Sequence, residues 1–121
     1  MEHTMTVPST TLVQLVRELT TSDPSGRGLA ADGITDLVGA LDAGQALVVA
    51  QLIVWLAVDE DDAVALESQL NALAELAAND LLPAGIAAEV RAVPESRLQG
   101  SSLEHYEYLM SVVDGPDPAT P

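Results

Sequence analysis

Cysteine is absent from this 121-residue chain, and so are lysine and phenylalanine. Without thiols there is no disulfide, no thiolate metal site and no cysteine nucleophile. Aromatic residues are nearly missing as well: one tryptophan (Trp55) and two tyrosines (Tyr106, Tyr108) are all the chain has. Leu, Val, Ile and Ala must therefore fill any core. These side chains, Leu and Ala above all, favour helices, because they lose little rotamer freedom there. Long apolar runs are missing too. The most apolar stretch, ALVVAQLIVWLAV (Ala46–Val58), is about a dozen residues, too short for a bilayer of roughly 30 Å. No N-terminal segment joins a basic start to an apolar run, so no secretory leader is expected and the expected location is cytoplasmic.

Positive charge is scarce. Nineteen acidic residues face four arginines, for a formal net charge of −15. Nucleic acid and anionic membranes carry the same sign and would be repelled, so neither is an expected partner; a basic protein would be attracted from a distance. The alternative is that the acidity only keeps the chain in solution, or marks a salt-adapted or GC-rich source.

What is present in abundance is helical patterning. The length fits one domain. Leu12, Val13, Leu15, Val16 and Leu19 make an apolar stripe over Thr10–Thr20, with Ser9 or Thr10 as its cap. A second helix is expected from about Pro24 to Leu41, capped by Asp23, with a short turn at Asp42-Ala43-Gly44. The third, from about Gln45 to Val58, is apolar nearly all round and is expected to sit centrally, with Trp55 in the core. Next comes DEDDAVALESQLNAL (Asp59–Leu73). The spacing puts Glu60, Asp61 and Asp62 in the first turn of a helix reaching about Ala78, where solvated carboxylates meet free N–H groups and the positive end of the dipole. A shorter helix at Ala84–Val93, a loop at Pro94–Gly100 and a last helix from Ser101 or Ser102 to about Val113 complete the pattern, with Glu104 near the capping-box position. Residues 9–113 form the expected single domain, between flexible ends at 1–8 and 114–121.

Sliding the chain by about 39 residues preserves the apolar register. Val13 falls on Leu52, Val16 on Trp55, Asp23 on Asp62, Ile34 on Leu73 and Leu37 on Leu76; a second slide carries Asp62 to Ser101 and Leu70 to Leu109. The expected architecture is all-α: about three antiparallel helix pairs in a short right-handed stack, the last pair irregular because an end unit must cover the stack. An irregular helical bundle is the alternative. The segments SDPSGRGLAADGITDLVGAL (Ser22–Leu41) and VDEDDAVALESQLNALAEL (Val58–Leu76) resemble HEAT and armadillo-like α-solenoid repeats. In that resemblance Asp23 and Arg27 look like the repeat's turn Asp and second-helix Arg, while Leu66 stands where a second such Arg would be.

Sites for chemistry are thin. The acidic run lacks the alternate spacing, central Gly and distant Glu of a calcium loop. No Glu-x-x-His is present for a carboxylate metal centre. His3 lies in the expected flexible start. His105, in LEHYEYLM (Leu103–Met110), has Glu104 and Glu107 as neighbours but no matched nucleophile. No phosphate loop, nucleophile elbow or zinc spacing occurs, and the GxG around Arg27 follows no strand. A non-enzyme without cofactor or metal is expected, and catalysis by His105 is the minor alternative.

A surface remains. If Leu66, Leu70, Leu73 and Ala77 face the core, then Val64, Glu67, Asn71 and Glu75 project the other way. The shift places Asp32 and Asp36 on the equivalent face of the second helix, and Tyr106, Met110 and Asp114 on that of the last, with Glu107 adjacent. These residues make an expected acidic strip ending in aromatic and thioether anchors, suited to a basic protein. An ordinary charged helix exterior is the plain alternative. Small, acidic, cysteine-free repeat proteins of this kind are similar to immunity proteins of bacterial polymorphic toxin systems, and LNALAELAANDLLP (Leu70–Pro83) shares their character. That resemblance implies a protein that neutralises a cognate toxin. A scaffold or adaptor module in a larger complex is the second reading.

Overall fold

The computed structural model describes residues 6–115; His3 and the expected flexible ends at 1–5 and 116–121 lie outside them. Six α-helices follow one another: α1 (Ser9–Leu19), α2 (Pro24–Leu37), α3 (Ala43–Asp59), α4 (Ala63–Ala78), α5 (Ala84–Ala87) and α6 (Ser101–Asp114). Single 3₁₀ turns occupy Val38–Ala40, Ala88–Ala92 and Glu95–Arg97, and there is no strand among the described residues. No helix among them is long and apolar enough to cross a membrane.

The centre of the molecule is α4, not α3. Helix α4 packs against α2, α6 and α3. Leu66, Leu70, Leu73 and Leu76 are fully buried there, with Ala65, Ser68, Gln69 and Ala72 between them. Composition misleads here because α3 is the more apolar helix, yet only one side of it, Ala46, Val49, Ala50, Ile53, Val54 and Ala57, is fully buried, with Leu52, Leu56 and Val58 half-buried at its margins. Position is decided by small side chains that let a neighbour approach. Gly28 of α2 is buried where the two helices cross, and a Cβ on it would lie 3.5 Å from the Ala65 Cα. That is ordinary contact, so Gly28→Ala is expected to hold or raise stability by up to about 1 kcal/mol through helix propensity. Gly28→Leu must push the helices apart and cost at least about 1–3 kcal/mol. A Gly28→Ala urea midpoint at or above the native one, with the Gly28→Leu midpoint below it, would bear this out; equal midpoints for the two variants would not.

Helix ends explain several shifted boundaries. Asp42 does not sit in a free turn: its carboxylate accepts from the Gln45 N–H at 2.8 Å while the Gln45 side chain accepts from the Asp42 N–H, a reciprocal capping box that starts α3 at Ala43. The Gln45 amide also donates to the Val7 carbonyl at 2.8 Å, and Val7 is buried. The N-terminal segment is thus tied to α3 from Val7 onward. Ser9 and Thr10 lie inside α1, behind Pro8 at the cap position, and make no cap bond. Helix α2 ends at Leu37, tightening into a 3₁₀ turn, and Asp23 occupies its cap position without a side-chain bond. Asp62 does cap α4, accepting from the Ala65 N–H at 2.9 Å. At the other end of α4, Asp80 has φ of 59°, with Asp80 N–H on the Ala77 carbonyl and Leu81 N–H on the Leu76 carbonyl. These two bonds are a Schellman ending in which Asp takes the place glycine usually fills. Helix α6 begins after Gly100, whose φ of 56° suits glycine, and Ser102 turns its hydroxyl back onto Gln99 instead of capping.

Candidate functional site

The four carboxylates Asp59–Asp62 do four different things. Asp59 ends α3, Glu60 turns inward, Asp61 stays exposed and Asp62 caps α4. Glu60 is only 4% exposed, which overturns the reading of the whole run as a solvated helix start. Its two oxygens accept from Arg27 Nε and Nη2, both at 2.7 Å. The Gln69 amide donates to it at 2.8 Å and the Asp62 N–H at 3.1 Å. Arg27 in turn donates to the Thr21 and Ser22 carbonyls at 3.0 Å. Burial pushes the Glu60 carboxyl up, but the Arg27 bonds, the Asp62 N–H, Gln69 and the guanidinium charge together outweigh it and hold the group below the ordinary value. Arg27 is held above its ordinary value, first by its bond to Glu60. A carboxylate occupied on both oxygens and held ionised is a poor proton acceptor, so this cluster ties α2 to the α3–α4 turn and does not present a base. Gln69 Oε1, which is buried, has no hydrogen-bond partner among the described residues.

Arg97 extends the tie from the far end of the chain. Its Nη1 donates to the Val58 and Glu60 carbonyls at 3.2 Å, satisfying the C-terminus of α3, and its Nη2 meets Asp61 at 3.3 Å. Arg91 pairs with Asp114 at 2.8 Å. Three of the four arginines are therefore committed to carboxylates of the chain itself.

His105 does not meet Glu104 or Glu107. Its Nε2 lies 4.0 Å from Glu67 of α4, beyond hydrogen-bond length. Among the described residues no three His, Asp or Glu side chains converge on one point.

The residues expected to form the acidic strip are brought only partly together. Asp32 is exposed on α2 and shares a groove of about 330 Å³ with Asp62, Val64 and Ser68 of α4. Asp36, one turn further, is exposed but lines the neighbouring groove between α1 and α2 with Thr10, Gln14 and Leu15. Glu67, Asn71 and Glu75 follow at helical spacing along α4, the first two half-buried and Glu75 exposed. On α6 the expectation fails in part. Tyr106 and Met110 are half-buried and pack against the core, so they are not free anchors; Glu107, Tyr108 and Leu103 are exposed instead. The reason is rotational: Ser102 and Leu109 are buried, and helical spacing then carries Tyr106 and Met110 toward the same side. The apolar side chains that do stand open on the strip are Leu29 (72% exposed) and Val64 (74%), flanking the α2–α4 groove. Leu29 was missed in the sequence because it precedes the stripe of Ala30, Ile34 and Leu37 by one residue and belongs to no repeated spacing of its own.

A second exposed surface was not expected. Trp55 is 60% exposed and Val48 62%, with Leu52 and Val58 half-buried between and beyond them on the outer side of α3. The shift that set Trp55 over Val16 gave the right register but the wrong environment, since Val16 itself is only half-buried. No protein-family model, no curated protein and no solved structure matches the chain.

Proposed function

We propose that the chain is a non-catalytic protein-binding domain that takes a basic protein partner on the face formed by α2, α4 and α6, in the manner of an immunity protein neutralising a cognate toxin. The observation that carries this reading is the α2–α4 groove, where Leu29 and Val64 stand open between Asp32 and Asp62, with Glu67, Asn71 and Glu75 continuing along α4. Apolar anchors flanked by carboxylates suit a cationic surface: the field steers the encounter and the anchors hold it. Pairing of α1 with α2, α3 with α4 and α5 with α6, and the row α2, α4, α6, support a HEAT-like stack of three helix pairs, in which second helices share a side. The resemblance to immunity proteins and the net charge of −15 support a basic toxin domain as the partner.

The test is co-purification with the product of the adjoining gene, followed by association kinetics over a salt range. The association rate is expected to fall at least about 10-fold between low and physiological-to-high ionic strength, because surface charges beyond a Debye length are screened. A variant carrying Asp32→Asn, Asp36→Asn and Glu75→Gln is expected to lower the same rate by roughly 10-fold with little change in dissociation. Salt-independent binding, or none, overturns the reading. Binding without loss of the partner's activity leaves an adaptor in place of an inhibitor.

A further inference from the structure

The outer side of α3 is the other feature that folding leaves unexplained. A chain with a single tryptophan places it at the surface, in line with the exposed Val48 two turns away, while Leu52 and Val58 on either side are half-buried against the core. Beside Trp55 lies a shallow cavity of about 410 Å³ lined by Val54, Val58, Ala92, Asp59 and Glu89. Its floor is apolar and its charged walls are both acidic. Gln51 donates to Glu89 at 3.3 Å, which holds that carboxylate over the helix. No arginine lines the cavity, and the two that follow Glu89 in the chain pair elsewhere, Arg91 with Asp114 and Arg97 with Asp61.

We propose that this side of α3 is a second docking surface, taking a basic amphipathic segment of a protein partner: an apolar side chain seats against Trp55 and Val58, and flanking cationic groups meet Asp59 and Glu89. Charge complementarity selects this occupant. A second copy of the chain would bring a net charge of −15 against −15, with the same two carboxylates facing one another. An anionic bilayer meets the same repulsion. Tryptophan is the residue most often found at the energetic centre of such contacts, because it removes a large apolar area from water at low conformational cost. Glu67, Asn71 and Glu75 belong to α4, and none of them lines the cavity beside Trp55. The inference does not rest on the function proposed above, and the two fail separately.

Trp55 is itself the probe, being the only tryptophan. The titrant is a synthetic peptide with leucine and lysine at helical spacing. Trp55 emission in the free protein is expected to be red-shifted and open to acrylamide, and to move to the blue and become shielded as the peptide is added. A peptide with serine for leucine is expected to bind at least about 10-fold more weakly, as is the original peptide to a variant carrying Asp59→Asn and Glu89→Gln. Asp32→Asn with Glu75→Gln is expected to leave the titration unchanged. Circular dichroism of each variant shows that it is folded. Four results overturn the proposal: no blue shift with the leucine–lysine peptide; equal binding of the serine peptide, which is charge attraction alone; a blue shift with doubled mass on concentrating the protein by itself, which makes a second copy the occupant; or a blue shift on uncharged vesicles but not on peptide, which makes it a lipid.

Discussion

Arg27→Ala is expected to destabilise the fold by about 3–5 kcal/mol, a large part of the roughly 5–15 kcal/mol that holds a domain of this size together. The variant strands Glu60, whose side chain is only 2% exposed, without its countercharge. Glu60→Ala is expected to cost less, about 1–3 kcal/mol, because the arginine left behind is already 20% exposed and can turn to water while keeping its bonds to Thr21 and Ser22. The order of the two variants is the informative result, since an exposed ion pair would cost about the same small amount from either side.

Acid sharpens the comparison. In the native protein Glu60 lies below its ordinary value of 4.5. A carboxyl depressed on folding contributes stability that is fully present above its unfolded value and is lost as the pH falls through the folded one, so part of the stability should disappear below about pH 4.5. In the Arg27→Ala protein the main opposing influence is gone and burial pushes the carboxyl up. The sign then reverses: the variant suffers most above the unfolded value, where a buried charge must be kept or a proton taken up. The gap between native and variant is therefore expected to narrow steadily from about pH 7 to about pH 4. Urea unfolding at several pH values measures it; a constant gap would mean that Glu60 is not the group responsible.

Leu70→Ala is expected to cost about 2–5 kcal/mol, while Trp55→Ala, although it removes far more carbon, is expected to cost less than about 1 kcal/mol. Leu70 is fully buried on the central helix, so truncation leaves a cavity walled by neighbours in three directions. Trp55 exposes most of its surface, and its loss opens nothing inside. Shifts in urea midpoint give both numbers on one scale. A Trp55→Ala loss as large as that of Leu70→Ala would place the indole in the core and remove the docking surface proposed for α3.

Much of this molecule is written locally. Leu12 to Leu19, Asp42 with Gln45, and Asp62 ahead of Ala63–Ala78 each carry their own spacing or cap, and a helix forms wherever a few adjacent residues agree on it. The strip residues on α4 were legible for the same reason: once Leu66, Leu70 and Leu73 face inward, Glu67, Asn71 and Glu75 have one direction left. On α6 that logic failed by about a quarter turn, because a helix amphipathic on two sides leaves the pattern open to more than one rotation, and only the fit of Leu109 and Ser102 against their neighbours chose between them.

The sequence by itself determined an acidic, cysteine-free, all-helical chain, the approximate place of most of its helices and which side of α4 is wet, all of them properties of residues a turn or two apart. Tertiary structure alone decided that Glu60 of the acidic run is buried against Arg27, that α4 and not the more apolar α3 is central, and that Trp55 faces outward. Those outcomes depend on residues some 33 positions apart meeting, as Arg27 and Glu60 do. Hydropathy counts how much surface a helix wants buried. Which of its sides finds a neighbour depends on where small residues such as Gly28 and Ala65 let two backbones come together.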